Sequence, residues 1–190
     1  MRRIHITYKL LIILFLTVST LFMVTKDSNA ETPQLIGFII DAEQMEGSIT
    51  GLAMTTGETP YAKDVPMLEM KFDSAAVLGL TIKKLVQSPK GLITTNITSK
   101  DTVLFKNLTL KVTNAQFEQY YLPEKGNIGL KKVKLLAHDV SAVDSNLPLF
   151  HMDFQSGGEI ELQPKSEQEL IQLKDSLEQL LSSIQKSDAE

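Results

Sequence analysis

The chain contains no cysteine and no tryptophan, and its 190 residues include only four tyrosines and eight phenylalanines. Without cysteine there can be no disulfide, thiolate zinc site, iron–sulfur cluster or thiol nucleophile. The charge is mildly acidic, with 19 basic and 23 acidic side chains. Nucleic-acid-binding proteins normally carry a basic stripe instead. We therefore expect no nucleic-acid partner, and no motif in the chain indicates a cofactor.

The remaining composition is that of an ordinary globular protein. Hydrophobic residues make up 43% of the chain and charged residues 22%, which excludes collagen-like and wholly disordered chains. The length suits one domain with an appendage, and it is sufficient to bury a core.

The first thirty residues have the anatomy of a secretory signal peptide. Three basic residues precede an uncharged, mainly apolar run over residues 10–24, and the small residues Ser28 and Ala30 follow it. This pattern predicts cleavage between Ala30 and Glu31. An uncleaved membrane anchor is the alternative. As a helix the run would be only about 22 Å long, against a hydrocarbon core of ~30 Å.

Removal of this leader changes the charge of the protein. The leader holds four basic residues and one acidic residue, so the chain from Glu31 onward keeps 15 of 19 basic and 22 of 23 acidic residues, a net charge of −7. An exported chain without disulfides fits a bacterial secreted or cell-envelope protein that is held together by packing. Contact with a membrane is expected only through the leader, if it is retained.

From residue 35 to residue 162, apolar and polar side chains alternate with a period of two. Such alternation is typical of half-buried antiparallel strands. We predict one antiparallel β domain over residues 31–164, a meander or hairpin-repeat sheet for which a curved or barrel-like form is open. The alternating positions expected to form its core or to line an apolar groove are Phe38, Ile40, Leu68, Met70, Phe72, Leu78, Leu80, Ile82, Leu108, Leu110, Val112 and Leu135.

Two finer patterns occur within this region. The segments 82–85, 105–108 and 130–133 share an apolar–Lys–polar–apolar pattern at intervals of 23 and 25 residues. This spacing is compatible with one long hairpin per repeat, although matches of four residues also arise by chance. The pair Gly157-Gly158, between apolar segments on either side, predicts a further hairpin.

After Pro164 the apolar period becomes that of a helix. Ser166 and Glu169 have the spacing of a capping box, in which each side chain accepts a hydrogen bond from the other residue's backbone amide. We therefore predict an amphipathic helix within residues 165–190 that packs on the sheet. Its apolar stripe consists of Leu170, Leu173, Leu177, Leu180 and Ile184.

Residue patterns that indicate catalysis are scarce. Adjacent residues of a strand point to opposite faces, so His138 and Asp139 cannot share one site. His151 and Asp153 lie on one face, but two ligands do not make a metal site. The chain also lacks a nucleophile elbow and a phosphate-binding glycine loop. We expect no catalytic residue, no metal ligand and no enzymatic activity.

Several strands carry apolar residues on both faces, which indicates either a central strand or a face that receives a ligand. One hypothesis is a non-enzymatic exported protein that binds a lipid, an acyl chain or a hydrophobic peptide on a sheet face. The other is a structural or assembly protein of the cell envelope, which contacts a protein partner through strand edges or the C-terminal helix. A hydrolase is a remote third hypothesis, because two carboxylates distant in sequence could meet in space.

Overall fold

The computed structural model describes residues 33–123, 127–146 and 148–187, and side chains as far as residue 183. The predicted leader and its cleavage site at Ala30 and Glu31 lie outside the described residues. Within them the structure confirms an antiparallel sheet followed by one C-terminal helix. The elements are β1 (Gln34–Gly57), β2 (Val65–Leu78), β3 (Leu80–Ser88), β4 (Gly91–Ser99), β5 (Val103–Gln116), β6 (Gln119–Tyr121), β7 (Ile128–Ser141), β8 (Asp144–Asn146), β9 (His151–Ser156) and α1 (Glu167–Ser187).

Four long strands pair in a closed circuit, which we call the ring. Strand β1 pairs with β2, β2 with β5, β5 with β7, and β7 with β1, all antiparallel. Strand β8 continues β7 along β5, and the short β6 lies against β7. Because the pairing returns to β1, the sheet is curved. The sequence analysis allowed a curved sheet as one form of the predicted domain, and the observed sheet has that form.

A second set of strands extends the sheet away from the ring, and we call it the wing. It consists of residues 34–41 of β1 together with β3, β4 and β9, paired in that order. Strand β9 stands at the end of the sheet and, among the described strands, pairs only with β4. The six residues of β9 therefore present one free backbone edge.

Strands β2 and β3 lie end to end along β1 and are separated by Gly79. Gly79 has a φ of 64°, and a Cβ there would collide with the side chain of Glu43. The positive φ of Gly79 bends the chain at this point. Glycine occupies the position because it alone adopts such a φ without strain. The expected alternation fails here: Leu80 is buried but Leu78 is 37% exposed. A bulge earlier in β2 shifts the inward phase, so that Val77 and not Leu78 enters the core.

The main core fills the ring and contains eleven of the twelve apolar residues predicted from the alternation. Nine of them are buried, and Phe38 and Ile82 pack against the cluster from partly exposed positions. The buried nine are Ile40, Leu68, Met70, Phe72, Leu80, Leu108, Leu110, Val112 and Leu135.

Helix α1 closes this core by packing on β1 and β2. Leu170 and Leu177 are 0% and 1% exposed, while Leu173 and Leu180 pack against the cluster partly buried. The side chain of Ile184 lies outside the part that the structure describes. The predicted capping box is present: the Ser166 amide donates to Glu169 Oε2 at 2.9 Å, and the Glu169 amide donates to Ser166 Oγ at 3.3 Å. These bonds satisfy donors that a helix N-terminus would otherwise leave free.

The segment between β9 and the helix, residues 158–165, crosses the wing and is called the strap. The prediction of a hairpin at Gly157-Gly158 is wrong, because the chain leaves the sheet there instead of returning beside β9. Leu162 fills a second, smaller core with Ile39, Leu85 and Leu136 among its neighbours. Asn114 Nδ2 donates to the Gln163 carbonyl at 2.6 Å, which ties the strap to β5.

Glu161 fastens the strap to two strands by ion pairs. Lys83 Nζ lies 2.5 Å from its Oε1 and Lys134 Nζ lies 2.9 Å from its Oε2. Hydrogen bonds from Lys83, then from Lys134, lower the pKa of the Glu161 carboxyl to about 2. The carboxylate is therefore ionised at neutral pH and remains so well into the acidic range.

The pKa of Glu161 predicts a pH-dependent contribution to stability. Because the folded-state pKa is below the ordinary 4.5, the contribution is present above pH 4.5 and is lost as pH falls towards 2. We expect Glu161→Gln to lower the thermal midpoint at pH 7 and to have a much smaller effect near pH 2. Glu159→Gln on the same strap is the matched control. Equal shifts for the two variants at pH 7 would contradict the prediction.

The apolar–Lys–polar–apolar pattern shared by segments 82–85, 105–108 and 130–133 has a partial structural counterpart. Its segments lie on β3, β5 and β7, and the third residue is left-handed in two of them, Asn107 (φ 49°) and Lys132 (φ 52°). Lys84, the equivalent residue on β3, is not among the positive-φ positions of the described chain. Two of the three segments therefore share a local bend, and the first does not.

Within the described residues no helix has the length and apolar character that a membrane span requires.

Candidate binding face

The pairing of the wing strands places apolar side chains in rows on one face. One row runs Ile40–Ile82–Ile97–Met152, the next contains Phe38 and Phe154 around Lys84 and Thr95, and the third contains Leu35, Val86 and Ile93. Directly paired residues of antiparallel strands point to the same side, so these residues form one surface. We call it the wing face, defined as Leu35, Phe38, Ile40, Ile82, Val86, Ile93, Ile97, Met152 and Phe154.

Exposure of the wing face increases from the ring to the free edge. Ile40 is 8% exposed because it also belongs to the ring core, and Ile82 and Ile97 are half-buried. On β9, Met152 is 46% and Phe154 is 70% exposed. Large apolar side chains clustered on a free edge are uncommon on a monomeric soluble protein, where such surfaces mark interaction sites.

The opposite face of the wing is polar on β9 and along most of β4. Asn96 Nδ2 and Gln155 Nε2 both donate to Asp153 Oδ2, at 3.0 and 3.1 Å, and the Thr94 hydroxyl donates to the Gly157 carbonyl at 2.8 Å. These groups line an open groove of about 360 Å³ with Glu161 at its rim. Since its polar groups bond to each other, the groove is a solvated surface crossed by the strap.

The ring interior contains a cavity of about 50 Å³ whose lining is entirely apolar, with Val77, Phe105, Val133 and Val140 among its walls. Several of the predicted groove residues line it as well, namely Ile40, Leu80, Ile82, Leu108, Leu110 and Leu135. Pockets for drug-sized ligands measure roughly 300–1,000 Å³. In the described part of the chain, the apolar stripe of α1 packs on the core through Leu170 and Leu177, and this cavity is far below that size.

The two histidines of the described chain have different surroundings. His138 Nε2 lies 2.9 Å from Thr113 Oγ1, and its Nδ1 lies 3.1 Å from the Ile36 carbonyl oxygen. Burial lowers the pKa of His138, and its bond to the Ile36 carbonyl opposes that shift. The imidazole of His138 thus links β7 to β5 and β1 as a neutral structural group. His151 is exposed on β9, and the described residues contain no group of three or more His, Asp or Glu side chains that could hold a metal ion.

The sequence prediction selected three residues of this face, Phe38, Ile40 and Ile82, and missed the other six, including the most exposed pair, Met152 and Phe154. Their alternation with polar neighbours was visible, but it indicated only a strand. Which strand ends the sheet depends on pairing between distant segments, here β4 with β9. The exposed Leu149 and Phe150 just before β9 are the available signal, because consecutive apolar residues are uncommon in a surface loop.

Comparison with protein-family models, with curated proteins and with solved structures finds no match to this chain.

Proposed function

We propose that the chain is an exported, non-enzymatic protein of the cell envelope or the extracellular medium that binds an apolar partner on the wing face. The partner is a lipid, an acyl chain or a hydrophobic segment of another protein. The exposure of Met152 and Phe154 beside a free strand edge carries this proposal. The leader pattern supports export.

Volume and energy both favour the wing face over the interior. The cavity of about 50 Å³ is too small for an acyl chain, which favours the exposed wing face as the place where an apolar ligand binds. Full burial of a Met or Phe side chain contributes about 1.5–3 kcal/mol. Two such residues on β9 provide enough apolar area for a weak contact, and the neighbouring Ile93 and Ile97 extend it.

Assembly through a strand edge is the second candidate function, and the free edge of β9 favours it. The C-terminal helix is the less suitable docking element, since its residues Leu170 and Leu177 are buried in the core. An added strand from a partner would pair with β9 and place alternate side chains on the wing face.

An apolar probe tests the proposal. The chain, exported by a bacterial host, is titrated into a fluorescent acyl-chain probe and into neutral phospholipid vesicles. We expect Phe154→Asp to weaken binding about tenfold, because a tenfold loss corresponds to ~1.4 kcal/mol, within the burial energy of one aromatic side chain. Tyr61→Asp is the control, as Tyr61 is 72% exposed but lies in the β1–β2 loop.

Equal binding by wild type and Phe154→Asp, with unchanged thermal midpoints, would refute the assignment to the wing face. Failure of the wild type to bind either probe would refute the apolar-ligand function itself.

A further inference from the structure

We propose that β9 pairs with β9 of a second copy of this chain, in antiparallel orientation about a twofold axis at Phe154. The proposal concerns the free edge of the sheet and does not depend on the ligand proposed above. It makes the protein a symmetric dimer in which two wings form one continuous sheet.

The first argument is the pattern of β9 itself. Met152 and Phe154 lie on the wing face, whereas His151, Asp153 and Gln155 lie on the polar face. A strand that adds to this edge has to present the same alternation, apolar on one side and polar on the other. Among the described strands, β9 is itself such a strand with a free edge, so its edge is self-complementary.

Charge selects between the two registers that pair the most residues of β9, those with the twofold axis at Asp153 or at Phe154. Directly opposed residues of an antiparallel pair share a face, so the twofold axis must pass through one residue of β9. An axis at Asp153 would place two carboxylates opposite each other, which is destabilising. An axis at Phe154 places Phe154 opposite its own copy and Asp153 opposite Gln155. That pairing joins an acceptor to an amide donor, the contact that Gln155 Nε2 already makes with Asp153 at 3.1 Å within one chain.

The edge also lacks the usual protection against pairing. Edge strands of monomers are commonly guarded by lysine, proline or a bulge. Strand β9 reads His-Met-Asp-Phe-Gln-Ser and has neither lysine nor proline, and its pairing with β4 is regular over all six residues. Its acidic side chain, Asp153, is held on the polar face by Asn96 and Gln155. In the dimer the two exposed Phe154 rings face each other, which removes the most exposed large side chain of β9 from water.

The absence of cysteine makes the register directly measurable. Because the chain has no native thiol, Phe154→Cys introduces a single one. Opposed Cα atoms would be about 4.5–5.5 Å apart, within the range that a disulfide spans. We expect Phe154→Cys to cross-link as a dimer under mild oxidation. Asp153→Cys, whose copies lie beyond about 7 Å in this register, should cross-link no faster than the exposed Tyr61→Cys.

Sedimentation equilibrium of the exported protein measures the dimer without modification. We expect a reversible monomer–dimer equilibrium between about 1 and about 100 μM, the range appropriate to a small edge interface. Phe154→Asp should shift the dissociation constant at least tenfold, and Tyr61→Asp should not shift it.

Three results would overturn the pairing: a wild type that stays monomeric over this range, cross-linking of Asp153→Cys in preference to Phe154→Cys, or a dimer that Phe154→Asp leaves intact. A monomer that still binds the acyl-chain probe would remove this inference alone, whereas a dimer that binds no probe would remove only the proposed ligand function.

Discussion

Replacing Leu170 by alanine is expected to lower the free energy of unfolding by about 2–5 kcal/mol. Leu170 is fully buried in the ring core at the start of α1, so truncation removes apolar contacts and leaves a cavity. The loss would be a large fraction of the ~5–15 kcal/mol that stabilises an ordinary domain. Chemical denaturation followed by circular dichroism measures it through the shift of the midpoint at constant slope.

The adjacent residue supplies the control for this experiment. Ile171 is 38% exposed on the outer side of the same helix turn, and Ile171→Ala should cost about 1 kcal/mol or less. Both variants exchange a large aliphatic residue for alanine, so helix propensity changes little between them. Similar losses for the two would show that α1 does not close the core.

The second large effect is expected at Gly129 on β7. A Cβ at this position would collide with the ring of Tyr121, which lies directly over the backbone. The Tyr121 hydroxyl donates a hydrogen bond to Glu46 on β1, and the Lys131 ammonium lies 5.3 Å from the centroid of the Tyr121 aromatic ring. We expect Gly129→Ala to destabilise the protein by about 1–3 kcal/mol, as other overpacked sites do.

A double-mutant cycle isolates the cause. In the Tyr121→Ala background the added methyl group has room, so Gly129→Ala should cost much less there than in the wild type. If the losses of stability in the two single variants simply added in the double variant, the strain would not arise from the contact between residue 129 and Tyr121.

A titration of Tyr121 gives a second readout. Burial, followed by the bond to Glu46, raises the pKa of Tyr121 to about 12. Its contribution to stability is therefore present below pH 10 and is lost as pH rises towards 12. In Gly129→Ala the displaced ring should titrate closer to 10, which ultraviolet absorbance of tyrosinate measures.

The elements predicted correctly from the sequence are those whose signals are local. The stripe containing Leu170 and Leu177, and the box formed by Ser166 and Glu169, lie within a few turns of one helix. Alternation likewise placed Leu68 and Met70 in the core, because a single strand determines which of its residues share a face. Such patterns depend on neighbours in sequence and can be read without the fold.

The failures come from contacts between distant segments. Leu78 was assigned to the core because the bulge in β2 that shifts its phase forms only against β1. The strap was mistaken for a strand because its anchor, Glu161, meets Lys83 and Lys134 across 78 and 27 residues. Most of the candidate site was missed for the same reason, since β9 takes its place at the end of the sheet by pairing with the distant β4.

Strand β1 is shared by the ring and the wing, and this sharing affects cooperativity. Its residues 38–41 pair with β3 on one side and with β7 on the other at the same time. Detaching the wing would therefore leave this stretch of the ring with an unpaired edge and would expose Ile39, which is completely buried. The free energy of opening the wing thus includes part of the free energy of opening the ring, so a partner that holds the wing closed also stabilises the core beneath α1.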